Sequence, residues 1–541
     1  METIVICGAW PYANGSLHIG HIAALLPGDV LSHYYRAKGA KVFYVSGSDC
    51  YGTPITIRAQ QENTTPETIS ERYHSEFCEV FQNLGFSYDR YLKTTDETHR
   101  NFVQAFHRIL YQSDSIEEKV VKQAYCETCQ SGLTDRMVMG LCPQCGKETR
   151  AEQCEFCGAL LEAEHLKEPY CAECHKLIAF RSSKHLFLKM SAWSKQIAQH
   201  VQAHPYWRKN AIAFTNRYLS EGLPDRALTR DLAWGIPAPK KGYENKCIYI
   251  WAENVLGYFS AVLSLCEERG ENFMDIVGSS ADAVTYYVHG KDNIPFHSII
   301  LPALLLAHGG QIRLPDQLIS SDHVTLEGRK ISTSKNWAVW AKDMVQMVQP
   351  DEVRYVFLAN APEKRDADFS FREFHERVHS EPIGIWGNFV NRTLAFFSRY
   401  LDREIPPQEI ESEVQARIKS IFASVGKSIE RGAIKDGLFE AMEGARFANR
   451  YYDAKAPWKT RTEDIEDCRK VIANCFYLVG NLSVIFAPFL PFSSEKIQTW
   501  LGMENRWEPQ AMKKRFLTDE KYVLFEKFEL SVFSKDLFER Q

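Results

Sequence analysis

The chain has 541 residues, a length that exceeds what one hydrophobic core supports, so several packed units are expected. It is 45% hydrophobic and 25% charged, an ordinary balance for a soluble globular protein. The net charge of −5 excludes a uniformly basic surface, so a nucleic-acid partner would have to bind a local cluster of Lys and Arg.

The N-terminus carries no basic stretch followed by an apolar run, and residues 3–7 are too short to form a signal peptide. The most apolar segment, residues 471–492, contains two asparagines and two prolines, which favours a buried helix over a membrane span. We therefore expect a cytoplasmic protein.

The first 46 residues predict a β–α–β unit. Residues 3–7 predict a buried strand, and the segment 8–20, rich in Gly, Pro, Asn and Ser, predicts a loop. Residues 18–38 predict a helix with a regular apolar face, and residues 41–46 predict a second strand. Such a unit implies a parallel sheet, in which ligands bind at the carboxyl ends of the strands. We therefore expect the ligand site in the loops that follow these two strands.

A helix-start motif, His18-Ile19-Gly20-His21, lies in the first of these loops. Two histidines three residues apart share one face of a helix, and their N–H donors add to those of the helix N-terminus. Gly20 lets a flat base approach the backbone. The motif therefore indicates a phosphate site, although two histidines that merely cap a helix would fit the same spacing.

A block of cysteines at 126–174 interrupts the α/β pattern. Eight of the fifteen cysteines form four Cys-x-x-Cys pairs there, and two such pairs supply the four thiolates of a tetrahedral zinc site. The middle pairs are eight residues apart, so we expect them to share one structural ion while the outer pairs share another. This nested pairing is preferred to a sequential one, and zinc to iron–sulfur clusters or redox pairs. The first site comprises Cys142, Cys145, Cys154 and Cys157, and the second Cys126, Cys129, Cys171 and Cys174.

Further strands are predicted at 247–251 and 284–288, and the pattern becomes helical from residue 371 onward. Between these regions, Lys330-Ile331-Ser332-Thr333-Ser334-Lys335 forms a basic, hydroxyl-rich segment. Its lysines can neutralise charge that develops on a triphosphate, whereas a solvated turn is the simpler interpretation of the segment alone.

Together, the two motifs resemble the paired signatures of class I aminoacyl-tRNA synthetases, HIGH and KMSKS. The segment from His18 to His21 matches the first fully, and the segment from Lys330 to Ser334 matches the second at its first lysine and both serines. Thr333 stands where the family has its second lysine, and we expect Lys335 to supply that charge.

Several further segments narrow the resemblance to the methionyl-tRNA synthetase family. They lie at residues 8–15, 48–54, 249–258, 296–298, 387–392 and 456–458. The resemblance implies ATP-dependent activation of methionine, with Mg²⁺ accompanying ATP, and transfer to the 3′ end of tRNA. It also implies two structural zinc ions. A monomer is expected, because the family often carries a C-terminal dimerisation domain and this chain stops before one.

The resemblance assigns roles by matching position. Catalytic roles fall to His18, His21, Arg230, Lys330 and Lys335. ATP contacts are expected from Asn14, Gly20, Gly290, Asp292, Lys330, Ser332 and Ser334. The amino-acid pocket is expected to comprise Trp10, Tyr12, Asp49, Trp251, Asn254, Tyr258 and His297, with Asp49 on the amino group. Asn388, Arg392 and Trp458 are expected to read the anticodon.

The expected fold is α/β: a Rossmann-type parallel-sheet catalytic domain, split by a zinc-knuckle insertion and followed by an α-helical anticodon-binding bundle. The two halves of the catalytic domain are placed at 1–120 and 229–315, the insertion at 121–228, a linker with the KMSKS-like loop at 316–370 and the bundle with a C-terminal segment at 371–541.

Besides Thr333, three residues depart from the family pattern. Trp10 replaces a leucine, Glu253 an aspartate and Asn254 a small residue, usually alanine. These three departures leave an alternative open, in which the chain is a paralogue of this family that activates another amino acid or serves another acceptor. A non-catalytic tRNA-binding module is the remaining alternative, but it would be expected to have lost the histidines and lysines of the nucleotide site.

Overall fold

A computed structural model describes residues 2–129, 131–133, 137–154, 156–157, 160–161, 163–333, 336–401, 404–405, 409–512, 515–516 and 522–533. Ser334, expected to contact ATP, and Lys335, expected to be catalytic, lie outside the described residues.

The described strands, in chain order, are β1 Thr3–Gly8, β2 Lys41–Ser48, β3 Arg90–Lys93, β4 Ile116–Cys126, β5 Ser131–Gly132, β6 Val138–Leu141, β7 Glu148–Arg150, β8 Glu152–Gln153, β9 Leu160–Leu161, β10 Lys167–Cys171, β11 Ala179–Leu188, β12 Arg226–Ala227, β13 Thr229–Arg230, β14 Cys247–Ile248, β15 Ala283–Gly290, β16 Gln317–Ser321, β17 Val324–Leu326, β18 Arg329–Lys330, β19 Ala367–Phe369, β20 Glu404–Ile405 and β21 Arg515–Phe516.

The described α-helices are α1 Ile19–Ala37, α2 Thr53–Gln61, α3 Pro66–Asn83, α4 Glu97–Leu110, α5 Ser194–Ala203, α6 Lys209–Glu221, α7 Gly257–Arg269, α8 Phe273–Val277, α9 Leu301–Ala307, α10 Ala341–Met347, α11 Pro350–Ala359, α12 Phe371–Val378, α13 Asn388–Tyr400, α14 Ser412–Glu430, α15 Ile434–Lys455, α16 Pro457–Glu463, α17 Ile465–Phe486 and α18 Pro491–Leu501. Two π-helical segments cover Phe296–Ile300 and His379–Gly387.

The central sheet has five strands in the order β16-β15-β1-β2-β3, all paired in parallel. Its inner strands are buried on both faces, which explains why β1 and β2 are almost continuously apolar. The strand order reverses between β1 and β15, and ligands of open α/β sheets bind in the crevice at such a switch point. The predicted β–α–β unit and parallel sheet are confirmed.

Two features of the second half differ from expectation. The strand predicted at 247–251 ends at Ile248, and the chain continues as 3₁₀ turns at Ile250–Ala252 and Asn254–Leu256. The segment placed in the linker begins with β16, which is an edge strand of the central sheet. Alternation could not identify these elements, because one strand is too short and the other is buried on both faces.

A long antiparallel pair of strands, β4 and β11, forms the base of the insertion. Tyr125 pairs with Ala179 at one end of this pair, and Ile116 pairs with Leu188 at the other. Beyond this pair, the short strands β6, β7 and β10 form a separate three-stranded sheet. Four of the eleven buried residues in the local core are cysteines, so the tip contains little apolar material. Such a segment needs another source of stability.

Helices α13 to α18 form the C-terminal bundle, which shares one hydrophobic core with α1 and the central sheet. The long apolar segment predicted as a buried helix lies mostly in α17, which is buried over most of its length. A fully buried ion pair crosses the seam, with Arg354 of α11 at 2.7 Å from Asp29 of α1. Arg354 also donates to the carbonyl oxygens of Leu84, Pro488 and Phe489. One side chain therefore ties the bundle to the sheet.

Among the described residues, no helix combines the length and apolar character that a membrane crossing would need.

Candidate functional site

The two histidines of the first motif form the cap of α1. The His18 ring accepts the backbone N–H of Gly20 at its Nδ1, at 3.1 Å, and the His21 Nδ1 accepts the backbone N–H of His18, also at 3.1 Å. The ring centroids lie 3.9 Å apart. A Cβ at residue 20 would stand 2.9 Å from the His18 ring, so glycine is needed for this close packing. Helix capping and the phosphate prediction are therefore compatible.

Both histidines are neutral near pH 7. Burial lowers the pKa of His18 well below its usual range and that of His21 to about 4. Because each Nδ1 accepts a backbone N–H, each neutral ring carries its proton on Nε2. The two rings therefore offer Nε2–H donors at the positive end of α1, where an anion is favoured.

The second motif lies against the first. Ile331 is within 4.0 Å of the position that a Cβ at Gly20 would occupy. The Ser332 and Trp337 backbones exchange two hydrogen bonds of 2.9 Å, which hold these two residues side by side. Lys330, in β18, is exposed beside it. The structure thus brings the start of this loop to the start of α1, as the paired motifs predict.

The other residues expected at ATP occupy the same edge of the sheet. Gly290 ends β15 with open space where a side chain would stand. Asp292 follows it, 81% exposed, with His323 Nε2 at 3.0 Å. The Asn14 carbonyl oxygen accepts an N–H of Arg58 at 2.7 Å, which fixes the loop after β1. This edge is the crevice at the switch point between β1 and β15.

An aromatic pocket adjoins the crevice. The Tyr258 hydroxyl donates to His297 Nε2 at 2.9 Å, because His297 Nδ1–H is used on the Asn293 carbonyl at 2.9 Å. Burial lowers the pKa of His297 to about 4. The Trp10 ring meets Tyr258 edge to face, with centroids 6.4 Å apart. This packing brings together three of the predicted pocket residues.

Trp10, a departure from the family, is accommodated by two glycines. A Cβ at Gly47 or at Gly257 would stand 2.6 Å from the Trp10 ring, so both positions must lack a side chain. Tyr12 is placed in a similar way, since a Cβ at Gly52 would stand 2.0 Å from its hydroxyl oxygen. The larger side chain at residue 10 therefore fills space that glycines leave.

Asp49 closes the pocket from the end of β2. It is 2% exposed, its backbone pairs with that of Pro11 and Ala13, and its carboxylate accepts an N–H of Asn254 at 2.9 Å. Burial raises the pKa of Asp49 well above its usual range. A ligand cation would relieve this cost by pairing with the ionised carboxylate.

Trp251 and Arg230 both lie against Tyr249. Trp251 is 7% exposed, with its ring 6.1 Å from that of Tyr249. Arg230, in β13, places its guanidinium 4.3 Å from the centre of the Tyr249 ring. Stacking on an aromatic face leaves the planar guanidinium edge available for hydrogen bonds to an anion.

A buried polar network behind the pocket was not predicted. Glu253 Oε2 lies 2.8 Å from His99 Nε2, and His99 Nδ1 lies 2.9 Å from Ser260 Oγ. Ser260 donates its own proton to the Gly257 carbonyl, so His99 donates from Nδ1. Its Nε2 must then accept, and Glu253 holds the shared proton. Burial raises the pKa of Glu253 well above its usual range and lowers that of His99 to about 3, in agreement.

The eight cysteines form the two nested clusters that were predicted. Within each cluster all sulfur atoms lie within 4.8 Å of one another, and the nearest Sγ–Sγ pairs are 3.4 to 4.0 Å apart. Four ligands at a Zn–S distance of about 2.3 Å lie roughly 3.8 Å apart at tetrahedral corners. Backbone N–H donation lowers the pKa of the Cys154 thiol to about 6 and that of Cys174 to about 7. Both clusters therefore fit structural zinc.

The three residues expected at the anticodon share one face of the bundle. Asn388 and Arg392 are one turn apart on α13, and Arg392 donates to Asp453 at 2.7 Å. The Arg392 guanidinium lies 4.0 Å from the centre of the Tyr452 ring and 6.0 Å from that of Trp458. Trp458 stacks on Tyr452 and is 42% exposed. We name Asn388, Arg392, Tyr452 and Trp458 the bundle platform.

Two protein-family models together match most of this chain. Residues 4–394 match the family model described as tRNA synthetases class I (M), and residues 408–526 match that of the anticodon binding domain of methionyl tRNA ligase. The chain is 47% identical over 539 residues to a methionine–tRNA ligase of Bacillus cereus, covering 99% of this chain and 98% of that protein. It is 45% identical over 536 residues to methionine–tRNA ligase 1 of Alkaliphilus oremlandii, covering 99% of each.

The fold is also similar to that of a solved Mycobacterium tuberculosis methionyl-tRNA synthetase in complex with methionyl-adenylate. The TM-score is 0.80 at 20% sequence identity, and the match covers 97% of this chain and 100% of that chain.

Proposed function

Because this chain belongs to the methionyl-tRNA synthetase family of class I tRNA synthetases, we propose that it carries out both half-reactions with the residues described above. It is an aminoacyl-tRNA synthetase that joins methionine to tRNA at the expense of ATP. The observation that carries the residue-level proposal is the pair of neutral histidines, which present Nε2–H donors at the start of α1.

In the first step, a carboxylate oxygen of methionine attacks the α-phosphorus of ATP. The bond from this phosphorus to the bridging oxygen breaks, and pyrophosphate leaves with methionyl-adenylate formed. The protein supplies no nucleophile, so its contribution is positioning and stabilisation of charge. His18 and His21 donate to phosphate oxygens, and Lys330 and Lys335 neutralise the departing pyrophosphate. Mg²⁺ accompanies ATP, whose base and ribose lie along Asn14, Gly20, Gly290 and Asp292.

Methionine is held at both ends. Its ammonium group pairs with Asp49, a charge-assisted contact in a buried setting. Tyr12, Trp251, Tyr258 and His297 surround the side chain, because aromatic rings make favourable contacts with a thioether. Arg230 faces the substrate carboxylate and α-phosphate from its stacked position on Tyr249.

In the second step, the 2′- or 3′-hydroxyl of the terminal adenosine of tRNA attacks the methionyl carbonyl carbon. AMP leaves, and the hydroxyl proton passes to it or to solvent. The bundle platform binds unstacked anticodon bases, with Trp458 as the stacking surface and Asn388 and Arg392 as hydrogen-bond donors. We further propose that the chain acts as a monomer in the cytoplasm.

The test combines two assays on the purified chain. Pyrophosphate exchange with ATP is measured over the twenty amino acids, and charging is measured with tRNA(Met) transcript. The expected result is exchange with methionine above all others and charging that depends on both substrates. Preference for another amino acid would favour the paralogue to which Trp10 and Asn254 point, and charging of no tRNA would contradict the second step.

The zinc proposal predicts two metal ions per chain by elemental analysis. Cys154→Ser and Cys126→Ser should each reduce the content to one ion, because they belong to different clusters. Cys78→Ser, outside both clusters, is the matched control and should keep two. Loss of both ions from either variant alone would contradict independent sites, and a metal-free wild-type chain would refute zinc binding.

A further inference from the structure

Asn254 occupies a place in the amino-acid pocket where the family usually has a small side chain. Its Nδ2 donates to Asp49 Oδ2 at 2.9 Å, so the amide is held in one orientation by the carboxylate. The residue begins a 3₁₀ turn that leads directly into α7. The departure from the family therefore has a direct contact with the residue assigned to the ammonium group.

The other end of this amide has no partner. Asn254 Oδ1 is buried from solvent and accepts no hydrogen bond in the described structure. A buried carbonyl oxygen without a donor costs free energy, so such an atom calls for an explanation. The two polar atoms of one planar amide are about 2.3 Å apart, which places Oδ1 within roughly 5 Å of Asp49 Oδ2. One small cation can reach both oxygens.

The neighbouring charges favour a single cation at this position. Glu253 shares its proton with His99, so this pair has no net charge. An ammonium group that binds here therefore pairs with the ionised Asp49 carboxylate, whose Oδ1 lies 3.4 Å from the Tyr51 backbone nitrogen and whose Oδ2 accepts from Asn254. An ammonium group brings one positive charge and three N–H donors. Asp49 supplies the charge but lacks free acceptors for all three donors.

We propose that Asn254 is a second ammonium-binding residue of the methionine site: its amide N–H orients Asp49, and its Oδ1 accepts an N–H of the substrate ammonium group. This inference rests on the proposed function, since it assumes that Asp49 faces the amino group. It gives the polar residue at position 254 a role in selecting α-amino acids over carboxylates that lack the amino group.

The experiment compares two ligands on three proteins. Methionine is assayed by pyrophosphate exchange, and 4-(methylsulfanyl)butanoate, which is methionine without its amino group, is assayed as a competitive inhibitor. The variants are Asn254→Leu, which keeps the volume of the side chain without its polar atoms, and Asn83→Leu, a control at the exposed end of α3.

Asn254→Leu should raise KM for methionine about 10- to 100-fold, the usual effect of losing a hydrogen bond to a charged group. The inhibition constant of the analogue and KM for ATP should stay within about twofold.

A second readout separates ligation from mere packing. The Asn254 hydrogen bond lowers the pKa of Asp49, whereas burial raises it. Without this donor, Asp49 gains its proton at higher pH, so the fall in 1/KM for methionine on acidification should begin at higher pH in Asn254→Leu. Equal weakening of methionine and the analogue, or no change for either, would overturn the proposal. Failure of the proposed function would look different, because the wild-type chain itself would then show no methionine-dependent exchange.

Discussion

The catalytic edge of the sheet and the bundle platform both serve a nucleotide in the proposed function, but they are built in opposite ways. At the edge, His18 and His21 are held by each other and by backbone N–H groups, and Asp49 is almost fully buried. On the platform, Trp458 is 42% exposed and is supported mainly by ring stacking. The edge is ordered by hydrogen bonds before any ligand arrives, whereas the platform offers a flat surface.

The difference follows from what each site must do. Phosphate charge develops at a fixed point, so donors there must be aimed in advance and kept from water. A base that leaves its stack in the anticodon brings its own flat surface, and stacking tolerates small changes of angle. Substitutions at the edge should therefore affect chemistry, and those on the platform should affect only steps that include tRNA.

The largest effect is expected at the seam that joins the two regions. Arg354→Met removes the buried partner of Asp29 and three hydrogen bonds to carbonyl oxygens, so the free energy of unfolding should fall by about 3–5 kcal/mol. Thermal unfolding measures this as a lower Tm, and exchange and charging should decline together at raised temperature. Arg450→Met, on the exposed surface of α15, is the control and should leave Tm unchanged.

The seam prediction has an internal check. Asp29→Leu in combination with Arg354→Met removes both charges, and replacement of a buried pair by apolar side chains regains much of the stability lost when one partner is removed. A double variant that is less stable than Arg354→Met would show that Asp29 matters chiefly through His33 and Ser87, its other partners.

The next prediction separates the two functions of His21. Asn places an acceptor where His21 Nδ1 stands but lacks the Nε2–H, whereas Gln keeps a donor near Nε2 and loses the cap. His21→Asn should therefore lower kcat for methionine-dependent exchange about 10²- to 10³-fold while Tm stays near that of the wild type. His21→Gln should lose less activity and more stability. A larger loss of activity in His21→Gln than in His21→Asn would instead place the contribution of His21 in the cap.

The same contrast explains what the sequence could predict. The β1–α1–β2 unit follows from apolar periodicity, and the nested cysteine pairing follows from the short reach between neighbouring knuckles. Local spacing also placed His18 and His21 on one helix start. In each case the deciding contacts lie within a few tens of residues along the chain, where local geometry limits the alternatives.

The parts that escaped prediction depend on distant contacts. Glu253 and His99 are 154 positions apart, and they come into contact only because α4 packs against α7. No local sequence pattern could therefore predict that they share a proton. The same holds for Arg354, whose charge is buried only when the bundle docks. The ring proton positions of His18 and His21 also required the backbone, since a sequence motif does not state which nitrogen donates.

A smaller effect is expected on the platform. Trp458→Ala removes a stacking surface worth about 1–3 kcal/mol per base, so kcat/KM for charging should fall about 10- to 100-fold. Methionine-dependent exchange, which needs no tRNA, should not change. Trp458→Phe keeps an aromatic face and should retain most charging activity. A fall in exchange with Trp458→Ala would break the comparison, because it would mean that the platform acts on the edge without tRNA.

The smallest predicted effect concerns the turn that presents Trp458. Ala456 ends α15 with φ 44° and ψ 57°, a left-handed conformation in which a Cβ is unfavourable. Glycine adopts it without that penalty, and its greater freedom in the unfolded chain offsets part of the gain. Ala456→Gly should therefore stabilise the chain by about 0.5–1 kcal/mol, with a slightly higher Tm and slower hydrogen exchange of the residue-456 N–H that is bound to the Tyr452 carbonyl.

Ala456→Val should lower the stability instead, since a β-branched side chain fits this conformation poorly. Because the turn sets where the indole stands rather than how strongly it stacks, charging by Ala456→Gly should stay within about twofold of wild type. A large loss would show that the platform, like the catalytic edge, depends on exact backbone placement.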